Sequence, residues 1–172
     1  IIEVLTGEKE IFQKARDMKT RLKKEGEEVL AMWCVMPYDA ALKEYFKKFK
    51  GKKMFRLINI DSVGPENVKD HLCKFIDEIK SGNYHVYPTS HTTSEYLIID
   101  RCEALELIPH VVAGKMYRGL YTTDDHIVGA YVKDLSTLME HGKALIIASD
   151  ASDENAKKLI DQWIKSIKPR KS

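Results

Sequence analysis

The run His91-Thr92-Thr93-Ser94-Glu95 places an imidazole, hydroxyls and a carboxylate directly before the most apolar segment of the chain, Tyr96-Leu97-Ile98-Ile99. Groups of these types at a strand end are those that hydrogen-bond a sugar or another small polar metabolite. His91, Thr93 and Glu95 are therefore the first ligand candidates. A solvated loop is the plain alternative for the same run. Asp61 and Ser62, at the end of an earlier apolar run, form a second candidate pair of the same kind.

Other potentially reactive residues have simpler explanations. His71, His85, His91, His110, His126 and His141 are scattered, with no pair at ligand spacing on a predicted helix. No metal site and no cofactor are expected. Cys34, Cys73 and Cys102 are an odd number of widely spaced thiols without a paired motif. They read as buried thiols of a reducing cytosol, so the expected location is cytoplasmic. Asp124 and Asp125 stand where a helix cap and its dipole partner are needed. Lysines 43, 47, 48, 50, 52 and 53 surround Tyr45, Phe46 and Phe49. The aromatics fall on the apolar face of the predicted helix, so the lysines read as its solvated side.

Composition narrows the class. At 172 residues the chain is long enough for one domain with a core. A formal net charge of +2 is too balanced to indicate nucleic-acid binding without a clustered basic face. The longest apolar run, Val29 to Met36, is far short of the ~20 residues of a membrane span. No secretory signal is visible, and no membrane contact is expected. The chain opens on Ile1-Ile2-Glu3-Val4-Leu5 rather than on Met, so it reads as a fragment or processed product with further residues upstream.

The elements that must position the candidates follow from periodicity. Ile11, Ala15, Met18 and Leu22 recur at spacings of three and four and predict a helix over 8–25, capped by Thr6 or Gly7. The run 29–36 reads as a strand covered on both faces, ended by Pro37. Asp39 is expected to cap a helix over 40–49. A strand over 54–60 and a loop over 61–64 follow, then a helix opened by Pro65 that runs to about Lys80. Tyr84–Tyr87 is a short strand. Runs 96–100 and 104–108, joined by Arg101-Cys102-Glu103, read as adjacent strands of a hairpin, and Gly119–Thr123 as a third. A helix from Asp124 or Asp125 reaches about Glu140. Residues 144–148 read as a strand by a slight margin over a helix continuation. Ser152-Asp153 caps a last helix, whose Trp163 serves either the core or a dimer contact. The expected fold class is α/β: a sandwich with a mixed central sheet and helices on both faces. The expected division is one domain over 1–150, with an appended C-terminal helix and tail over 151–172.

With these elements in order, the chain resembles the phospholipase D-like superfamily, in which a strand carrying H-x-K-x-x-x-x-D turns back directly after the Asp. Glu95 to Leu105 carries that resemblance. The closer likeness is to the effector domain of archaeal TrmB-type transcription regulators. Glu3-Val4-Leu5-Thr6-Gly7 is similar to their opening segment, and Gly119-Leu120-Tyr121-Thr122-Thr123-Asp124-Asp125 to their "G-L-x-T-D-D" stretch. Aligned on Asp100, the motif's His falls on Thr93 and its Lys on Glu95. Thr93 cannot replace an imidazole nucleophile, and Glu95 repels a phosphate rather than binding it. The resemblance thus implies the fold and a non-catalytic role. Such regulators sense a small polar ligand such as a sugar, pair as homodimers, and contact DNA only through an N-terminal winged helix, which would lie outside this chain. The alternative is a divergent phospholipase D-like phosphodiesterase or nuclease using His91 or His110. A third reading is a free-standing interaction module that uses the basic second helix.

Overall fold

The structure, a computed structural model, describes residues 1–21, 28–33, 39–90, 94–109 and 117–167. Among these, the strands are β1 (Ile2–Thr6), β2 (Glu28–Trp33), β3 (Lys53–Ile58), β4 (Tyr84–Pro88), β5 (Glu95–Ile99), β6 (Glu103–Pro109) and β7 (Tyr117–Thr122). The helices are α1 (Glu8–Thr20), α2 (Asp39–Lys48), α3 (Ile60–Val63), α4 (Pro65–Cys73), α5 (Ile76–Lys80), α6 (Asp125–His141) and α7 (Asp153–Ser166).

The described strands form one mixed sheet in the order β1-β7-β6-β5-β2-β3-β4. β2, β3 and β4 run parallel, joined by helical crossovers as parallel pairs require. β5, β6 and β7 form an antiparallel meander, and β1 returns to pair with β7. The expected fold class is the observed one.

Two cores lie against the two faces. One gathers Val29, Met54, Ile58, Leu97, Ile99 and Leu105 from the sheet beneath α1 to α5 and α7. The other gathers Leu30, Met32, Leu57, Ile98 and Ala104 beneath α6, through Val128 and Leu135. α1 sits tightly on β7: a Cβ at Gly119 would meet Ile11 Cγ1 at 3.1 Å. Trp163 of α7 is buried, and its indole N–H donates to the Lys143 carbonyl at 2.7 Å, so this side chain is core.

Several local expectations hold. Asp124 caps α6 by accepting from the His126 and Ile127 N–H groups, and Ser152 caps α7 through the Asn155 N–H. Tyr45 and Phe46 face inward as their spacing in α2 requires.

Others are corrected. Residues 144–148 form neither strand nor helix. Leu145 N–H donates to the Val86 carbonyl at 3.0 Å, a single bond at the β4 edge rather than a ladder. The predicted strand over 54–60 stops at Ile58, because Asn59 turns the chain into α3 where a loop is expected. The predicted helix over 65–80 is two helices, broken where the Lys74 and Phe75 N–H groups bond three residues back, to His71 and Leu72. Cys102 is exposed in the hairpin turn and Cys73 half-buried, not buried as expected. Lys52, expected on a solvated face, is buried.

Candidate functional site

The parallel strands fix the direction of the sheet. β2, β3 and β4 all end on the side where antiparallel β5 begins. The carboxyl ends of parallel strands are where open α/β sheets place ligands. Glu95 opens β5 on this edge, and Asp61 and Ser62 follow β3 onto it. The topology therefore brings these three candidates to one end of the sheet. His91 and Thr93, the other two, lie outside the described residues, as does His110.

The local chemistry of Asp61 and Ser62 is structural first. The Asn59 side chain accepts from the Ser62 N–H at 2.9 Å and caps α3, while the Ser62 hydroxyl donates to the Asn59 carbonyl at 3.3 Å. Asp61 remains exposed on the first turn of α3. Asp100, the surviving motif position, is a turn residue. Asp100 and Arg101 have φ of 49° and 56°, and Cys102 N–H closes the turn on the Ile99 carbonyl at 3.0 Å. Both central residues in left-handed backbone is the hairpin arrangement that matches strand twist.

Glu95 is buried and points to the same face of the sheet as Leu97 and Ile99. On that face, two strands away, stands Arg56, only 1% exposed. Its guanidinium lies 5.7 Å from the centre of the Tyr84 ring, and Nη2 meets Met54 Sδ at 3.4 Å. Burial pulls the Arg56 pKa down, and Tyr84 and the charge of Glu95 oppose that pull.

A hydrogen-bonded chain runs outward from there. His71 Nε2 lies 2.8 Å from the Tyr84 hydroxyl, and Nδ1 lies 2.6 Å from Asp39 Oδ1. Lys74 Nζ donates to the other Asp39 oxygen at 2.8 Å. Burial, then the charge of Arg56, lowers the His71 pKa to about 4 despite Asp39. The ring is thus neutral near pH 7. An ionised Asp39 only accepts, so Nδ1 carries the proton and Nε2 accepts from the Tyr84 hydroxyl. Burial raises the Asp39 pKa, but hydrogen bonds from Lys74 and His71 outweigh it and hold the carboxyl below its ordinary value. Burial pushes the Tyr84 phenol up to about 12, so it stays a donor.

Sequence reasoning missed this chain. Its signal was Arg56, a single charge at an inward register position of the apolar run Met54-Phe55-Arg56-Leu57-Ile58.

On the opposite face, at the same sheet end, a cavity of about 300 Å³ is lined by Met32, Tyr96, Tyr131, Asp134, Leu135 and Leu138, among others. The two tyrosine rings are 5.1 Å apart at 58°. Burial first, then the neighbouring Glu106, holds the Tyr96 phenol above its ordinary pKa. Glu106 is the direct cross-strand partner of Tyr96. Among the described residues no group of three or more His, Cys, Asp or Glu could hold a metal ion, and no helix is long and apolar enough to cross a membrane.

The same sheet recurs in solved structures. TrmBL2, an archaeal chromatin protein whose structure shows a novel mode of DNA binding, superposes with a TM-score of 0.62 at 16% identity, over 83% of this chain and 53% of that one. Phosphatidylserine synthase of Haemophilus influenzae Rd KW20 gives 0.62 at 15% identity, over 96% and 45%. Nuc of Salmonella typhimurium, a phospholipase D family member, gives 0.56 at 11% identity, over 86% and 100%.

The fold is phospholipase D-like.

At these identities the likeness establishes a shared fold, as the resemblance read from Glu95 to Leu105 implied. This chain spans about half the length of the first two of these proteins. No family model matches the sequence, and no curated protein matches it.

Proposed function

We propose that this chain is the effector domain of a TrmB-like transcription regulator: a non-catalytic, cytoplasmic sensor of a small polar ligand such as a sugar. It acts as a homodimer and reaches DNA only through a winged-helix domain outside the chain. Residues 1–150 carry the sensor, and the helix Asp153–Ser166 packs into its core through Ala156, Ile160 and Trp163.

The observation that supports this reading is Glu95. At the position where the phospholipase D-like motif carries its phosphate-binding Lys, this chain holds a carboxylate. That carboxylate is buried on the face it shares with Arg56. Phosphoryl transfer needs preorganised positive charge presented to the developing anion. A buried carboxylate whose nearby cation is itself inside the core presents none. The likeness in fold to an archaeal DNA-binding chromatin protein agrees with the regulatory setting. Polar groups at the strand ends, Asp61 and Glu95 among them, are where a metabolite would sit, and the tyrosine-lined cavity on the opposite face at the same sheet end is the second place.

Thermal melting against sugars, nucleotides and other metabolites tests the reading. A ligand at ~100 times its Kd adds ~2.7 kcal/mol, a clear shift in Tm. A sugar that raises Tm, with the shift lost in Glu95→Gln, is the expected result. Turnover of a phosphodiester substrate that disappears in His91→Ala would overturn the non-catalytic reading and favour the divergent phosphodiesterase.

A further inference from the structure

The two edges of the sheet are finished differently. At the β4 edge, Leu145 N–H bonds the outward carbonyl of Val86. At the other edge, β1 pairs with β7, and among the described residues nothing pairs with its outer side.

The direction of each β1 backbone group follows from one bond. Thr123 N–H donates to the Ile1 carbonyl. In an antiparallel ladder, alternate residues turn their groups to the partner, so Ile1, Glu3 and Leu5 face β7. Ile2, Val4 and Thr6 then face outward. Thr6 agrees with this phase: its N–H is taken outside the ladder by Glu10 Oε2 at 3.2 Å. The outward set that remains is both backbone groups of Ile2 and Val4 and the carbonyl of Thr6.

The same two residues expose their side chains, Ile2 at 56% and Val4 at 66%. Natural sheets usually guard such an edge with a lysine, a proline or a bulge. Ile2 to Leu5 contains no lysine or proline. Its single charge, Glu3, points to the α1 side and is held by Lys14 at 2.9 Å.

We propose that β1 is the docking edge for a second copy of this chain, pairing antiparallel with its own counterpart about a two-fold axis at Val4. This rests on the dimeric sensor reading and names its surface. The strand is self-complementary in that register except at the Ile2 carbonyls, whose opposite Thr6 N–H groups are taken by Glu10. Val4 offers a donor and an acceptor to the same groups of the other Val4. Each Ile2 N–H meets a Thr6 carbonyl, the one outward group of Thr6 that Glu10 leaves open. Each Glu3 lies opposite a Leu5. A register centred on Glu3 would instead set two like charges directly opposite, which is unfavourable. The pairing runs the two sheets into one and places the exposed Ile2 and Val4 of both copies side by side.

The test is sedimentation velocity of the 172-residue chain over a wide concentration range, beside Val4→Lys and Val4→Ile, with hydrogen exchange read at the Val4 amide. Val4 is mostly exposed, so both variants fold, and an unchanged Tm in dilute solution checks this. The expected result is a dimer that Val4→Lys weakens about tenfold or more and Val4→Ile does not, a difference of about 1.4 kcal/mol or more. The Val4 amide should gain protection as concentration rises. A dimer of equal strength in Val4→Lys, with no protection at Val4, would overturn the β1 interface while leaving the dimeric sensor intact. A wild-type chain that stays monomeric throughout would overturn both.

Discussion

The face of the sheet beneath α1 to α5 and α7 holds Arg56, His71 and Glu95 inside its core, whereas the face beneath α6 is filled by Leu30, Met32, Leu57, Ile98 and Ala104. The difference follows from how much each face buries. Desolvating a guanidinium is expensive and is tolerated where partners and a large surrounding apolar core offset it. Six helices supply that core on the first face. On the second face, among the described residues, α6 covers the β3–β2–β5–β6 region, beside the cavity at Tyr96 and Tyr131 and the exposed side chains of Ile2 and Val4. The first face thus carries the buried charges, and the second carries the cavity and the exposed edge side chains.

The strongest way to break this comparison is Arg56→Met. It leaves Tyr84 and Glu95 facing an apolar side chain, and stability should fall by about 3–5 kcal/mol in urea unfolding. A gain in stability would mean that the buried charge is a burden carried by that face and not part of its structure. Trp163→Ala should cost about 3 kcal/mol by the same measurement, because α7 helps seal the charged face.

Acid should act on the charged face first. His71 has its folded pKa lowered to about 4 against the ordinary 6.5. The folded state therefore takes up this proton less readily than the unfolded chain. The stability is fully present above about pH 6.5 and is lost as pH falls toward 4, by on the order of 2–3 kcal/mol. The lowered pKa of Asp39 adds loss of the same sign at lower pH. NMR titration should show His71 neutral through pH 5, and His71→Phe should flatten this limb of the stability profile. The smallest effect is expected at Asp100. Asp100→Gly should raise stability by roughly 0.5 kcal/mol, since glycine adopts φ near 49° at less cost. A marked loss would point to a role for Asp100 beyond the turn.

Much of the framework was legible. The meander of β5, β6 and β7 follows from short apolar runs with turn residues between them. The caps at Asp124 and Ser152 follow from a polar side chain placed just before a helical stripe. Of the candidate site, the sequence supplied residue types and an edge: Glu95, Asp61 and Ser62 do share one end of the sheet. It did not show that Ser62 is bonded to Asn59, the cap of α3, or that Glu95 turns inward on the face of Arg56, the latter because it depends on register and on neighbours distant in the chain.

By itself, then, the sequence determined the alternation of elements, their apolar faces and most of their ends, because periodicity and capping act over a few residues. Tertiary structure alone decided that Arg56 and His71 are buried, that residues 144–148 stay irregular beside β4, and that β1 stands at an open edge. Each of these outcomes depends on which segments lie side by side, and pairing between residues up to 122 positions apart, as between Ile1 and Thr123, leaves no local pattern to read.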